Sequence, residues 1–190
     1  YLPVADEHEA ARPKADEEKQ YQDAASESDS PSSDSAAAPD AAADSGAEGP
    51  GVAAAAADAA EQADREAVRT LLRAGEDVNA MQGDGMSGLH WAAEHGDHQL
   101  ADMLLHAGAN VDGRTRIGGY TPLHIASRQG HPAIVTALLA ANGDVSARAT
   151  VSGATPLHLA ASSPGPSVVR ILIEAGADPD VSTREGLTPL

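Results

Sequence analysis

The sequence is organised around residues 120–126, which read Tyr-Thr-Pro-Leu-His-Ile-Ala. Near-copies occupy residues 87–92 (Ser-Gly-Leu-His-Trp-Ala), 155–160 (Thr-Pro-Leu-His-Leu-Ala) and 188–190 (Thr-Pro-Leu). The hydroxyl residues that open these four copies are separated by 34, 34 and 33 positions. Such a period is typical of stacked supersecondary units, in which each unit buries its apolar face against the next one.

Each copy also has the chemistry of a helix start. The Ser or Thr hydroxyl accepts a hydrogen bond from an unpartnered backbone N–H, and Pro stands where no N–H is needed. Apolar residues with helical spacing follow in each unit and end at Gly108, Asn142 or Gly176, 21 residues after the opening hydroxyl. The same count backwards from Gly75 places a first, degenerate unit near Ala54. We therefore predict a mostly α-helical chain of helix–turn–helix units.

The pattern resembles that of the ankyrin-repeat family. The resemblance rests on Gly-Tyr-Thr-Pro-Leu-His-Ile-Ala at 119–126, Gly-Ala-Asn-Val-Asp at 108–112 and Gly-Ala-Asp-Pro at 176–179, together with the period. It implies an α-solenoid over residues 53–190, in which paired antiparallel helices are joined by β-hairpin-like loops. The implied repeats are 53–83 (degenerate), 84–117, 118–151 and 152–184, with the start of a truncated repeat at 185–190.

Residues 1–52 differ in composition from the rest of the chain. They hold 13 of the 29 acidic side chains and 3 of the 12 basic ones, and they are rich in Ala, Ser and Pro. Because such a segment buries too little apolar surface to offset its chain entropy, we predict a disordered acidic low-complexity tail. We interpret its Ser-rich tract at 26–35 as a solvated spacer, with a phosphorylation tract as the alternative.

Charge and composition limit the classes of partner. Residues 53–190 carry 16 acidic and 9 basic side chains without a basic cluster in the sequence, which argues against nucleic acid and anionic membranes as partners. No apolar run could span a bilayer, and no signal peptide is visible at a start that lacks Met. We expect a soluble monomer, with the cytoplasm favoured and export through a removed signal left open. The sequence contains no cysteine for disulfides or thiolate metal sites.

No constellation of residues indicates catalysis or a cofactor. Ser87 lies in Gly-Met-Ser-Gly-Leu, which is not a nucleophile elbow, and the glycines at 46–51 lack the strand and helix of a phosphate loop. The segment 90–98 holds three histidines and two acids, so a metal site through His95 and His98 is an alternative. These two residues straddle a predicted turn, however, and we predict no metal site.

The family resemblance implies where a partner docks: on the concave side formed by the loop tips and the first helix of each pair. Tyr120 and Arg128 are the expected anchors, because Tyr and Arg are favoured at interface hot spots. The implied binding residues are Met86, Glu94, His95, Tyr120, Arg128, Gln129, Ala154 and Ser162. The resemblance also implies structural hydrogen bonds within and between repeats for His90, His124 and His158, and we expect Ser87, Thr121 and Thr155 to cap their helices. Trp91 shares its motif position with Ile125 and is predicted to pack in the core, with a partly exposed binding aromatic as the alternative.

The functional prediction is a protein–protein interaction module without catalysis. The first alternative is an accessory repeat region of a larger enzyme or channel whose active part lies outside these residues. A purely structural spacer without a partner is a further alternative.

Overall fold

The computed structural model describes residues 54–163 and 165–190, so the predicted tail at 1–52 lies outside the described residues. Within this part the chain forms eight α-helices and one isolated bridge, between Met81 and Ser87. The helices are α1 (Ala55–Glu61), α2 (Arg65–Arg73), α3 (Gly88–His95), α4 (His98–His106), α5 (Pro122–Gln129), α6 (Pro132–Ala140), α7 (Pro156–Ala161) and α8 (Ser167–Glu174).

The helices pack as four consecutive pairs, α1–α2, α3–α4, α5–α6 and α7–α8. The first helices form one layer, in which α1 contacts α3, α3 contacts α5 and α5 contacts α7. In a second layer α4 contacts α6 and α6 contacts α8. Each pair therefore packs only on its neighbours, and the predicted helical solenoid is confirmed.

The core is one continuous apolar cluster that runs from the first pair to the last. Leu89, Leu123 and Leu157 occupy the same position in α3, α5 and α7, and all three are buried. Second helices contribute in the same way, with Leu104, Leu138 and Leu172 fully buried. Burial of each leucine contributes about 1.5–3 kcal/mol, and it requires two adjacent pairs, which is why the repeats must stack.

Helix starts and stops follow the local sequence. Thr121 is the N-cap of α5 with extended backbone, and Pro122 takes the first helical position. Glycine ends the turns that need a left-handed backbone, as Gly108 does at φ +87°. Asn142 stands at the corresponding place in the next repeat and adopts φ +63°, which Asn tolerates better than other non-glycine residues.

Hairpin-like loops project between the pairs, and hydrogen bonds join each loop to the next. Within one loop the Thr115 N–H donates to the Tyr120 carbonyl at 3.0 Å. Between loops, three backbone bonds of 2.8–2.9 Å link residues 32 positions apart. They run from Arg116 N–H to Asp84 O, from Thr150 N–H to Gly118 O and from Arg184 N–H to Ser152 O. We call these loops the tips and number each by the repeat that it opens: the second tip (80–87) precedes α3, the third (114–121) precedes α5, the fourth (148–155) precedes α7 and the fifth (182–188) follows α8. Among the described helices, none is long and apolar enough to cross a bilayer.

Candidate functional site

The motif histidines connect each repeat to the next. Nδ1 of His124 accepts the Thr121 N–H at 3.2 Å, and Nε2 lies 3.1 Å from the Ala154 carbonyl oxygen. Because Nδ1 accepts and a carbonyl can only accept, the neutral ring carries its hydrogen on Nε2. His90 makes the same contacts to the Ser87 N–H and to the Gly113 and Tyr120 carbonyls, and His158 makes them to the Thr155 N–H and the Leu187 carbonyl.

Burial keeps two of these rings neutral. It lowers the pKa of His124 to about 4, although the Ala154 carbonyl partly opposes the shift. Burial also lowers the pKa of His90, against the opposing effect of the Tyr120 and Gly113 carbonyls. Both rings are therefore uncharged near neutral pH. Their contacts support the tips, including the one that carries Tyr120.

A pocket of about 330 Å³ opens between the second and third tips and the helices α3 and α5. We call it the tip pocket. Four of the eight predicted binding residues line it, namely Met86, Glu94, Tyr120 and Arg128. The other lining residues are Asp84, Trp91, Thr115, Ile117 and Ile125.

The walls of the tip pocket are aromatic and aliphatic, and hydrogen bonds or stacking hold the rings in place. The indole Nε1–H of Trp91 donates to Oε1 of Gln82 at 2.7 Å, and the His95 ring stacks on the indole with centroids 5.8 Å apart. Tyr120 meets the His124 ring edge-on at 5.8 Å. Aromatic groups held this way lose little side-chain entropy when a ligand binds.

The rim of the pocket is charged. The Arg128 guanidinium donates to Glu94 at 3.0 Å, and the Gln129 amide donates to the other oxygen of the same carboxylate. Both bonds join α5 to α3, so they fix the position of Arg128 over the pocket. Within the second tip, the Asp84 carboxylate accepts the Met86 N–H at 2.9 Å. The rim therefore offers both signs of charge around an apolar centre.

A family model for three copies of ankyrin repeats matches residues 56–149 and 118–183. The chain belongs to the ankyrin-repeat family. Ankyrin repeats indicate a protein-interaction module. The chain is also similar to Potassium channel AKT1 from Oryza sativa subsp. indica and from Oryza sativa subsp. japonica, with 38% identity over 64 residues in both. The match covers 34% of this chain and only 7% of each channel's length.

The remaining predicted contact residues of these ankyrin repeats lie outside the tip pocket. His95 and Gln129 adjoin it through Trp91 and Glu94, whereas Ser162 is exposed at the end of α7. Ala154 is 6% exposed, and its carbonyl accepts the His124 hydrogen bond. Its side chain is therefore unsuited to partner contact, because the ankyrin tip folds it inward.

Sequence reasoning did not name four lining residues of the tip pocket, Asp84, Thr115, Ile117 and Ile125, as binding residues, and it offered Trp91 only as an alternative. The sequence favours the core for Trp91, with a partly exposed binding aromatic as the alternative. The indole is half-buried, with one edge on the core and another in the pocket. Ile125 forms part of the floor, and Ile117 is 76% exposed on the third tip. The only indication in the sequence that Trp91 is partly exposed is the size of its side chain, because the smaller Ile125 at the equivalent position is almost fully buried.

The histidine-rich segment makes no metal cluster within residues 54–163 and 165–190. His98 pairs with Asp102 at 3.1 Å, and Asp97 caps α4 by accepting the Leu100 N–H at 3.0 Å. Burial would raise the pKa of Asp97, but hydrogen bonds from Arg65 and from the Leu100 N–H outweigh it and hold the pKa below its usual value. The acids of this segment thus already serve the fold.

Proposed function

We propose that this chain is a protein–protein interaction module whose partner docks on the tip pocket and the neighbouring first helices. The observation that carries the proposal is the pocket itself, an apolar hollow of about 330 Å³ bordered by Trp91, Tyr120 and Arg128. Trp, Tyr and Arg are the residue types that most often dominate binding energy at interfaces. Tyr120 and Arg128 are the proposed anchors, and Trp91 is a third.

The way these groups are held favours binding without rearrangement. Tyr120 lies on a tip supported by His90 and packs against His124, and Arg128 is tied to Glu94. A surface that is already ordered loses less conformational freedom on association, so more of the contact energy appears as affinity. We further propose that the domain has the repeat boundaries predicted from the sequence, acts as a monomer and catalyses no reaction of its own.

Site-specific crosslinking in cell extract tests the proposal. A photoreactive amino acid replaces Ile117 on the third tip or, as the matched control, Arg170 on α8 in the other helix layer. We expect one protein to crosslink at position 117 and not at position 170. With that protein purified, Tyr120→Ala and Arg128→Ala should each weaken binding by more than about 1 kcal/mol. Equal crosslinking at both positions, or unchanged affinity in both variants, would contradict the proposal.

The match to Potassium channel AKT1 favours a second candidate, an accessory repeat region of a larger channel or enzyme. In that case the partner surface would be another part of the same protein. The uninterrupted coding sequence around residues 1–190 distinguishes the two. Further repeats followed by a stop codon support the separate interaction module, and pore-forming or catalytic segments in the same reading frame support the accessory region.

A further inference from the structure

We propose that the partner segment recognised by this surface is extended and acidic, with one apolar side chain that enters the tip pocket. This inference rests on the proposed function and adds the chemistry of the partner. The residues that carry it are Arg114, Arg116, Arg148 and Arg184, which we call the arginine row.

The arginine row forms only when the repeats stack. Arg114 and Arg116 lie on the third tip, Arg148 on the fourth and Arg184 on the fifth, so members on neighbouring tips are 32 to 36 positions apart in the sequence. All four side chains are exposed. The Arg114 guanidinium donates to the Arg148 carbonyl at 2.8 Å, and the Arg148 guanidinium donates to the Ser182 carbonyl at 2.9 Å. These bonds join the third, fourth and fifth tips, so the positive charges lie on successive tips.

The row is not neutralised by the protein's own carboxylates. The ion pairs of arginine within the described chain are Arg65–Asp97, Arg69–Glu66 and Arg128–Glu94. None of them involves a member of the row, although residues 53–190 hold 16 acidic and only 9 basic side chains. The overall negative charge is screened beyond about 8 Å at physiological ionic strength. At contact distance the four guanidinium groups therefore attract a negatively charged partner segment.

The row adjoins the tip pocket along the chain, although none of its four arginines lines the pocket. Arg116 precedes Ile117, whose side chain is 76% exposed and lines the pocket. At the rim of the pocket the charges of Glu94 and Arg128 already compensate each other at 3.0 Å. An apolar side chain thus suits the pocket, and acidic side chains suit the tips that follow it. Arginine can bind a carboxylate through two parallel hydrogen bonds, which favours this pairing.

Geometry sets the spacing of the acidic residues. Neighbouring helix pairs pack at about 8–10 Å, and an extended chain advances about 3.3 Å per residue. A bound extended segment therefore passes one tip roughly every three residues. We expect acidic residues at intervals of about three, after an apolar anchor.

Peptide selection on the full chain tests the inference. A displayed library of random twelve-residue peptides is enriched on the protein, and synthetic copies of the enriched peptides are measured by fluorescence anisotropy. The test variant is Arg116→Glu/Arg184→Glu, because within the described residues neither side chain donates a hydrogen bond. Arg73→Glu/Arg170→Glu changes the net charge equally, on the exposed faces of α2 and α8. Tyr120→Ala reports on the pocket.

We expect the enriched peptides to be acidic with one large apolar residue. The test variant should weaken their binding at least tenfold and the control variant less than twofold, and added salt should weaken binding to the unmodified protein. Circular dichroism of each variant confirms that it is folded. We expect Tyr120→Ala to weaken peptide binding at least fivefold.

Three outcomes would overturn the inference. Neutral or basic peptides that depend on Tyr120 but not on the arginine row would overturn it and leave the proposed function standing. A single-stranded oligonucleotide that binds through the row more tightly than any peptide would identify nucleic acid as the ligand instead. No enrichment, or peptides that neither the row nor the pocket variants weaken, would contradict both the inference and the proposed function.

Discussion

The Nε2 atom of His124 lies 3.1 Å from the carbonyl oxygen of Ala154, a residue of the next tip. On its other side, Nδ1 of the same ring accepts the Thr121 N–H and lies 2.8 Å from the Thr121 hydroxyl. One imidazole therefore completes the start of α5 and holds the following tip. His takes the place that Glu or Gln has in the usual capping box. The stability of the repeat stack thus depends on the neutral form of this ring.

Acidification should destabilise the protein between about pH 6.5 and pH 4. The pKa of His124 is about 4 in the folded chain and about 6.5 in an unfolded one. The unfolded state therefore binds more protons in this window, so the contribution of His124 is complete above the unfolded pKa and is lost as the pH falls through the folded one. The loss from this residue amounts to about 3 kcal/mol, and His90 adds to it in the same direction.

Urea denaturation at several pH values measures this dependence, and His124→Gln is the control. Glutamine can make the capping contact but does not titrate. The free energy of unfolding of this variant should fall less steeply between pH 6.5 and pH 4 than that of the unmodified protein. Parallel pH profiles for the two proteins would disprove the assignment.

Replacing a motif histidine by alanine should lower the free energy of unfolding more in the middle of the stack than near its described end. His124 is fully buried, so His124→Ala leaves the Thr121 N–H and the Ala154 carbonyl without partners and should cost about 2–4 kcal/mol. His158 is partly exposed, so water can replace its contacts in His158→Ala, and about 1 kcal/mol is expected. Equilibrium unfolding of both variants gives the comparison, and equal losses would be inconsistent with it.

Replacing Ser127 by alanine should stabilise the protein. The Ser127 hydroxyl is buried and has no hydrogen-bond partner among the described residues. Its equivalents one repeat away are Ala93 and Ala161, so alanine fits this position of the stack. Removing a buried, unsatisfied hydroxyl should raise the free energy of unfolding by about 1 kcal/mol.

The reverse change provides the control for this prediction. Ala93 is fully buried in α3, and Ala93→Ser places a hydroxyl at the equivalent position. We expect a higher thermal midpoint for Ser127→Ala and a lower one for Ala93→Ser. A midpoint that drops in Ser127→Ala would show that the hydroxyl has a favourable role.

Replacing Asp97 by alanine should destabilise the protein more than replacing its ion-pair partner Arg65. The carboxylate is 8% exposed, caps α4 through the Leu100 N–H and receives Arg65 Nε at 2.6 Å. Asp97→Ala removes both contacts and should cost about 2 kcal/mol. Arg65→Ala removes the pair and an exposed hydrogen bond to Gln99. Because the arginine is half-exposed, the loss should be about 1 kcal/mol or less. A double-mutant cycle by denaturation separates the two contributions, and a larger loss for Arg65→Ala would refute the ranking.

Much of the fold follows from local sequence signals. The Thr-Pro starts, the glycine or asparagine stops and the apolar spacing each act within one repeat, where propensity and capping decide the backbone. The helices α1 to α8 therefore lie where the pattern predicts them, and Asn142 adopts the left-handed conformation its position requires. The tip residues Tyr120 and Met86 both line the pocket, because the repeat register places them at its rim.

Burial across repeats could not be predicted from one motif position. Trp91 and Ile125 share a position, yet the indole is too large to be covered completely and reaches Gln82 and the tip pocket. Ala154 shares its position with Tyr120, yet it lies inside, against His124. In both cases the burial of the side chain depends on residues of a neighbouring repeat.

From the amino-acid sequence alone come the helix ends, which depend on residues close together in the chain, and the repeat period and the family, which follow from motif copies 33–34 positions apart. The tertiary structure alone decided which side chains share the tip pocket and that the arginine row lies on successive tips. The reason is that groups 32 to 36 positions apart in the sequence become neighbours only when the repeats stack.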